Sequence, residues 1–443
     1  MRKICLALPT DRACVPMVTA LGREAAHAAA HFDVEVHLLI LDSAEPTAFA
    51  EHARAARAAI GTPRVVVHHL GEAAQRVFLR QVIQRSGLPK PELLLDLMLP
   101  AEPSYGACTN RAFLIASALG CTSVHRRDSD SRYQVRDGTT VFPVHQELTS
   151  LGKRAGDAAS SVTETTLDPA HADKPVVLVG SSFIGELSVD ISEIRDLDPG
   201  VYHDVVSLWA PADWSQDDKR ALVEESFTGA GTAPFTEDHA VLALVDPMRV
   251  DMCNVSFHQV HERVPLPPAT NTIGSDYFLL HVVYNGTLPG VLHNRNIVNF
   301  HTGERRTDSG FAAYQTRFTK FFLSMLHLHH VYAGLAREGA ALLDRRHGVR
   351  ARRVAELVRA STLLDPAENE ARLDVIERAY RGLGGRYAAF AATLPPRRAR
   401  LIDEARQDME DFALLIENWA ALVRASASTG VPRLDGHAPE LDR

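Results

Sequence analysis

The sequence predicts an α/β fold, a mostly parallel central sheet flanked by helices and followed by an all-helical C-terminal extension. Three observations carry this expectation. Apolar β-prone runs alternate with helical stretches through residues 3–86, and a second set of apolar runs begins at residue 174. Beyond residue 340 the chain becomes rich in Arg, Glu and Ala, with apolar residues at helical spacing.

Residues 3–8 (KICLAL), 34–41 (VEVHLLIL) and 64–70 (RVVVHHL) read as buried strands. Between them, residues 13–30 and 51–60 read as helices, and residues 72–86 follow as a third. Such alternation requires parallel strands with right-handed crossovers. Ligands then sit beyond the carboxyl ends of the strands, where Pro9, Thr10, Asp11, Arg12 and Asp42 lie. Thr10 and Asp11 also suit a turn or a cap.

The central segment is residues 104–133, SYGACTNRAFLIASALGCTSVHRRDSDSRY. Residues 110–119 carry a helical apolar pattern, and Gly120 suits the helix end. A short strand over 122–125 leads through Arg126 and Arg127 to Asp128-Ser129-Asp130. Two carboxylates separated by one residue can face one divalent cation and the anion it carries. Hard oxygen ligands suit Mg²⁺ or Mn²⁺ shared with a diphosphate. Small Ser129 lets the metal and diphosphate approach the backbone. Arg111 and Arg127 each offer a planar fork to phosphate, while Arg126 and Arg127 serve equally to neutralise the acidic pair.

Residues 134–143 read as a hairpin turning at Asp137-Gly138, and residues 152–173 as a linker. Strands follow at 174–179 and 240–245. Gly180-Ser181-Ser182 reads as an anion-binding turn or as a plain strand-to-helix turn. Within residues 265–301, Asp276 opens a helix over 277–284, and residues 291–293 form a strand ending in His293. His327 and His330 share a helical face without a partner carboxylate, which favours packing.

An Asn110-Arg111 helix start, a small strand and then Asp-x-Asp resembles the signature of nucleotide-diphospho-sugar glycosyltransferases of the GT-A fold. The order of residues 3–300 is similar to the cytosolic group that includes glucosyl- and mannosyl-glycerate synthases, and to an uncharacterised actinobacterial family. The resemblance implies that Pro9, Thr10 and Asp42 hold the nucleotide base and ribose, with Asn110, Arg111, Asp128 and Ser129 also on the donor side. It implies a Mn²⁺ or Mg²⁺ ion on Asp128 and Asp130, with His293 completing the shell and His301 as the alternative ligand. Asp276, Asp130 and Arg127 would then be catalytic, and Asp276 would orient or deprotonate the acceptor. Ser275 stands where many inverting members carry Glu, and Asp276 also suits a helix cap.

The expectation is thus a metal-dependent glycosyltransferase acting on a nucleotide-diphospho-sugar donor and a small acceptor, plausible in specialised metabolism. Its alternatives are sugar-phosphate nucleotidyl transfer and a non-catalytic scaffold. Residues 9–12 contain no glycine, which disfavours the nucleotidyltransferase. The expected units are a donor half (1–150), an acceptor half (174–330), a helical extension (331–426) and a tail (427–443). The extension would pack on the catalytic domain or make a homodimer. A net charge of −8 argues against general nucleic-acid binding. Five cysteines without ligand spacing, and no apolar run long enough for a membrane span, point to a cytoplasmic protein.

Overall fold

The structure, a computed structural model, describes residues 1–187, 189, 191–300 and 307–434. Its strands are β1 (Arg2–Thr10), β2 (Val34–Asp42), β3 (Val65–Gly71), β4 (Ser123–Arg127), β5 (Ser131–Tyr133), β6 (Val135–Arg136), β7 (Thr139–Thr140), β8 (Glu164–Thr165), β9 (Leu178–Gly180), β10 (Phe183–Gly185), β11 (Ala240–Ala243), β12 (Asn254–His258), β13 (Gly290–His293) and β14 (Ile297–Asn299). A nine-stranded sheet runs in the order β3-β2-β1-β4-β12-β9-β13-β11-β8. Strands β3, β2, β1 and β4 are parallel, as expected. The other half is mixed: β12 is antiparallel to both β4 and β9, and β11 to β13, whereas β13 is parallel to β9 and β8 to β11. The sheet is therefore mixed, with most of its pairings parallel. Smaller sheets join β10-β14-β5 and β6-β7.

Side-chain alternation along β1 explains why the first strands read as continuous apolar runs. Ile4, Leu6 and Leu8 pack on one face with Val18, Leu21 and Ala25 of the helix Val15–His31. Cys5 and Ala7 face the other way, toward Phe78, Val82 and Phe113. Both faces are covered, so every position from Ile4 to Leu8 is apolar. The same parity governs β4. Val124 shares the core of Phe113, so Arg126 follows it to that face, while His125 and Arg127 turn to the other.

The sheet β3 to β8 draws strands from both expected halves of the chain. Residues 152–173 contain a short helix, Ala155–Ala158, and β8, which pairs with β11 at the sheet edge. The expected linker is thus tied to the sheet. The hairpin prediction holds: β6 and β7 meet at Asp137 and Gly138, with φ of 49° and 76°.

The C-terminal helices pack on the α/β body. Ala405, Met409, Phe412, Ile416 and Trp419 of the helix Arg398–Ser426 join the main core with Phe113 and Phe278. Trp419 Nε1 donates to the carbonyl of His261 at 2.9 Å. His327 Nδ1 contacts the carbonyl oxygen of Ser361 at 2.8 Å, consistent with packing. Among the described residues, no helix is long and apolar enough to cross a membrane.

Candidate functional site

A cavity of about 1040 Å³ opens beyond the carboxyl ends of β1, β2 and β4. Pro9, Thr10, Asp11 and Arg12 line one side. Asp128, Ser129 and Asp130 lie at its floor, immediately after β4. Asp251 and Asp276 line it too.

Arg126 joins these groups. Its guanidinium lies 3.1 Å from Asp128 Oδ1 and 2.9 Å from Asp276 Oδ2, and it donates to the carbonyl of Met252 at 2.8 Å. Arg12 Nη1 donates to Asp130 Oδ2 at 3.3 Å. Tyr277 donates its hydroxyl to Asp251 Oδ2 at 2.5 Å. Among the described residues, Asp128, Asp130 and Asp276 thus meet Arg12 and Arg126, with Asp251 beside them. Burial, and repulsion from Asp130, Asp251 and Asp276, push the Asp128 carboxyl up to about 7 against the pull of Arg126. Burial raises Asp276 as well. An all-oxygen, electronegative donor set of this kind fits a hard divalent cation.

The helix Tyr105–Ala118 is anchored so that its start reaches the cavity. Ser104 caps it, accepting from the backbone of Ala107 at 3.2 Å. Gly106 lets the helix lie against the Pro265–Pro268 segment, since a Cβ there would stand 1.8 Å from the carbonyl oxygen of Pro267. Asn110 exchanges two 2.8 Å hydrogen bonds with the backbone of Leu266. This corrects Asn110 as a donor ligand; its amide is consumed in positioning the helix. Arg111 lines the cavity, but its guanidinium is held by Gln75 Oε1 at 2.8 Å and the carbonyl of Met98 at 2.7 Å.

Three further expectations are corrected. Arg127 does not face the acidic pair. It is fully buried on the opposite sheet face, 2.8 Å from Glu24 and 3.0 Å from Glu147. His293 lies on that same side, where Glu147, Arg127, Arg295 and Asp238 act on it. Its Nδ1 accepts from the backbone of Arg295 at 3.2 Å, and it does not line the cavity. The reason is strand order: β13 pairs with β9 and β11, not with β4. His293 therefore cannot complete a shell with Asp128 and Asp130. His301 lies outside the described residues.

Asp42 is buried beneath the cavity rather than open to it. Its Oδ2 is 2.8 Å from His52 Nδ1 and 2.7 Å from His69 Nε2, and its Oδ1 accepts from the backbone of Ala44. These contacts hold its carboxyl below its ordinary value against burial. Asp42, His52 and His69 bring three metal-ligating atoms within 4.8 Å of one another, the one such group among the described residues. His52 Nε2, however, accepts the backbone N–H of Cys14 at 2.8 Å. The trio therefore reads as a hydrogen-bonded brace between β2, β3 and the first turn. Pro9, Thr10 and Ser129 remain on the cavity wall as expected.

Sequence reasoning placed Arg12 at the ligand end of β1 without giving it a role, and it missed Asp251. Asp251 is an isolated acid with no motif around it, and only the fold brings it to the site.

The sequence matches a family of unknown function (DUF6271) over residues 2–435. The chain belongs to that family. No curated protein matches it.

Proposed function

We propose that this DUF6271 member is a metal-dependent glycosyltransferase of GT-A type, moving a sugar from a nucleotide-diphospho-sugar to a small acceptor. The observation that carries the reading is Asp128-Ser129-Asp130 at the end of β4, on a cavity floor shared with Asp276. Asp128 and Asp130 would hold Mn²⁺ or Mg²⁺, which when bound neutralises diphosphate charge. Diphosphate oxygens would supply further ligands, because among the described residues the cavity carboxylates do not form a tight three-ligand cluster.

Arg12 takes the diphosphate role expected of Arg111 or Arg127, since its guanidinium reaches Asp130 from the end of β1. Asp276 or Asp251 accepts the acceptor proton. In the reaction the bond between the sugar anomeric carbon and the diphosphate oxygen breaks, and a bond from that carbon to the acceptor oxygen or nitrogen forms. The nucleoside diphosphate leaves with the bonding electron pair. Burial first, and then the neighbouring carboxylates, push the Asp128 carboxyl up to about 7, which supports reading it as a functional group.

A thermal-shift screen of UDP, GDP, dTDP and CDP, each with and without Mn²⁺, tests the reading. Binding to the native state raises its apparent stability by mass action. A shift for at least one nucleotide that requires metal and vanishes in Asp130→Ala is expected. Absence of a shift with every nucleotide would favour a scaffold instead.

A further inference from the structure

We propose that the far half of the cavity binds a planar aromatic acceptor carrying a hydroxyl or amine, rather than a small hydroxy acid. The word acceptor rests on the glycosyltransferase reading; the aromatic site does not. The helix Asp308–Glu338 turns one stripe toward the cavity: Tyr314, Arg317, Phe321, Met325, His329 and Tyr332. Their spacings of three and four residues keep them on one face over about 27 Å of helix.

The adjoining wall is also aromatic. Trp209 stacks on Phe227 at 5.1 Å and meets Phe321 edge-on at 5.5 Å. The Phe321 ring presses on Gly274, where a Cβ would lie 3.0 Å from it. Gly274 stands two residues before Asp276, so the aromatic wall abuts the carboxylate that would take the acceptor proton.

Helical apolar stripes ordinarily belong to a core, and Phe321 and Met325 are largely buried. The mouth of the cavity differs. Of the eight large apolar side chains exposed among the described residues, Trp214, Met248 and Tyr284 all line it. Exposed apolar groups gathered at one cavity mark a ligand-binding surface. Indole, phenol and thioether groups present flat, polarisable surfaces that suit a ring system. A cavity of about 1040 Å³ is at the upper end for a single drug-sized ligand, at ~1000 Å³, which leaves room for donor and acceptor together.

Tryptophan emission reads this site in the intact protein. Trp209 and Trp214 line the cavity, and the third tryptophan, Trp419, is fully buried in the helical core. The full chain, free of metal and nucleotide, is titrated with 4-methylumbelliferone, quercetin and alizarin, and with glycerate as the small-acid probe. Saturable quenching by at least one planar phenol is expected. Trp214→Ala, at a side chain 43% exposed and so removable without unfolding, should weaken that affinity about tenfold while Trp209 still reports.

Failure of all three phenols to quench saturably overturns the proposal. So does unchanged affinity in Trp214→Ala, or a saturable response to glycerate alone. Phenol binding in a protein that shows no metal-dependent nucleotide binding would refute the transferase reading and leave the aromatic site standing.

Discussion

Arg126 and Arg127 are adjacent, and both are buried, yet they belong to different kinds of site. Arg127 enters a closed network. Glu24, Glu147, His125 and Tyr133 surround it, and Glu24 also accepts the backbone N–H of Val144 at 2.9 Å. Glu147 is held down to about 2 despite burial, chiefly by Arg127 and then by His125. Arg126 enters an open network on the cavity, bridging Asp128 and Asp276 near Asp130 and Asp251. Asp128 moves the other way, up to about 7. The network around Arg127 is sealed inside the protein and serves the fold. The one around Arg126 opens on a cavity, where a ligand can reach its carboxylates.

The largest effect should come from breaking the closed side. Arg127→Met leaves Glu24 and Glu147 buried without their cation, at a cost of about 3–5 kcal/mol. Denaturant unfolding measures it; a loss below ~1 kcal/mol would contradict a closed ionic core. Next is the seat of the cavity helix. Gly106→Ala places a methyl against the Pro267 carbonyl and should cost at least about 2 kcal/mol, because backbone must shift. Urea midpoints of the pair would check it.

Acid should act next. Burial lowers His261 to about 3 and His293 to about 4. Below 6.5 the unfolded chain protonates these groups and the folded chain does not. Each therefore removes about 1 kcal/mol of stability per pH unit as pH falls from 6.5 toward its folded value. Glu147 acts in the same direction, its contribution fading from the ordinary carboxylate range down to about 2. Melting temperature across pH 7 to 4.5 should fall steadily; a flat profile would contradict buried neutral histidines.

The smallest stability effect belongs to the open side. Asp128→Asn removes a repelled carboxylate, so stability should stay within about 1 kcal/mol of wild type or rise. Metal-dependent nucleotide binding should be lost in the same variant. A large destabilisation would place Asp128 with Arg127 among the structural charges.

Much of this was legible in the chain. Continuous apolar runs identified β1, β2 and β3, and Asp137-Gly138 identified the hairpin. Asp128-Ser129-Asp130 was legible as a motif because its members are neighbours. What failed required tertiary information. Which of two adjacent arginines faces the cavity depends on strand parity. His293 was misplaced because pairing order, not sequence spacing, decides which strand lies beside β4. Asp42 looked available because its partners His52 and His69 come from the next helix and strand. The aromatic wall was invisible because Trp209 and Phe321 meet only through packing.

The most direct test of the central claim is Mn²⁺ electron paramagnetic resonance on the wild type and Asp130→Ala, with each nucleoside diphosphate in turn. The account predicts that one nucleotide with wild-type protein diminishes the six-line signal of free Mn²⁺ beyond what the nucleotide alone does, and that Asp130→Ala abolishes the difference. An equal signal in wild type and variant for every nucleotide would contradict a metal–diphosphate site on Asp128 and Asp130.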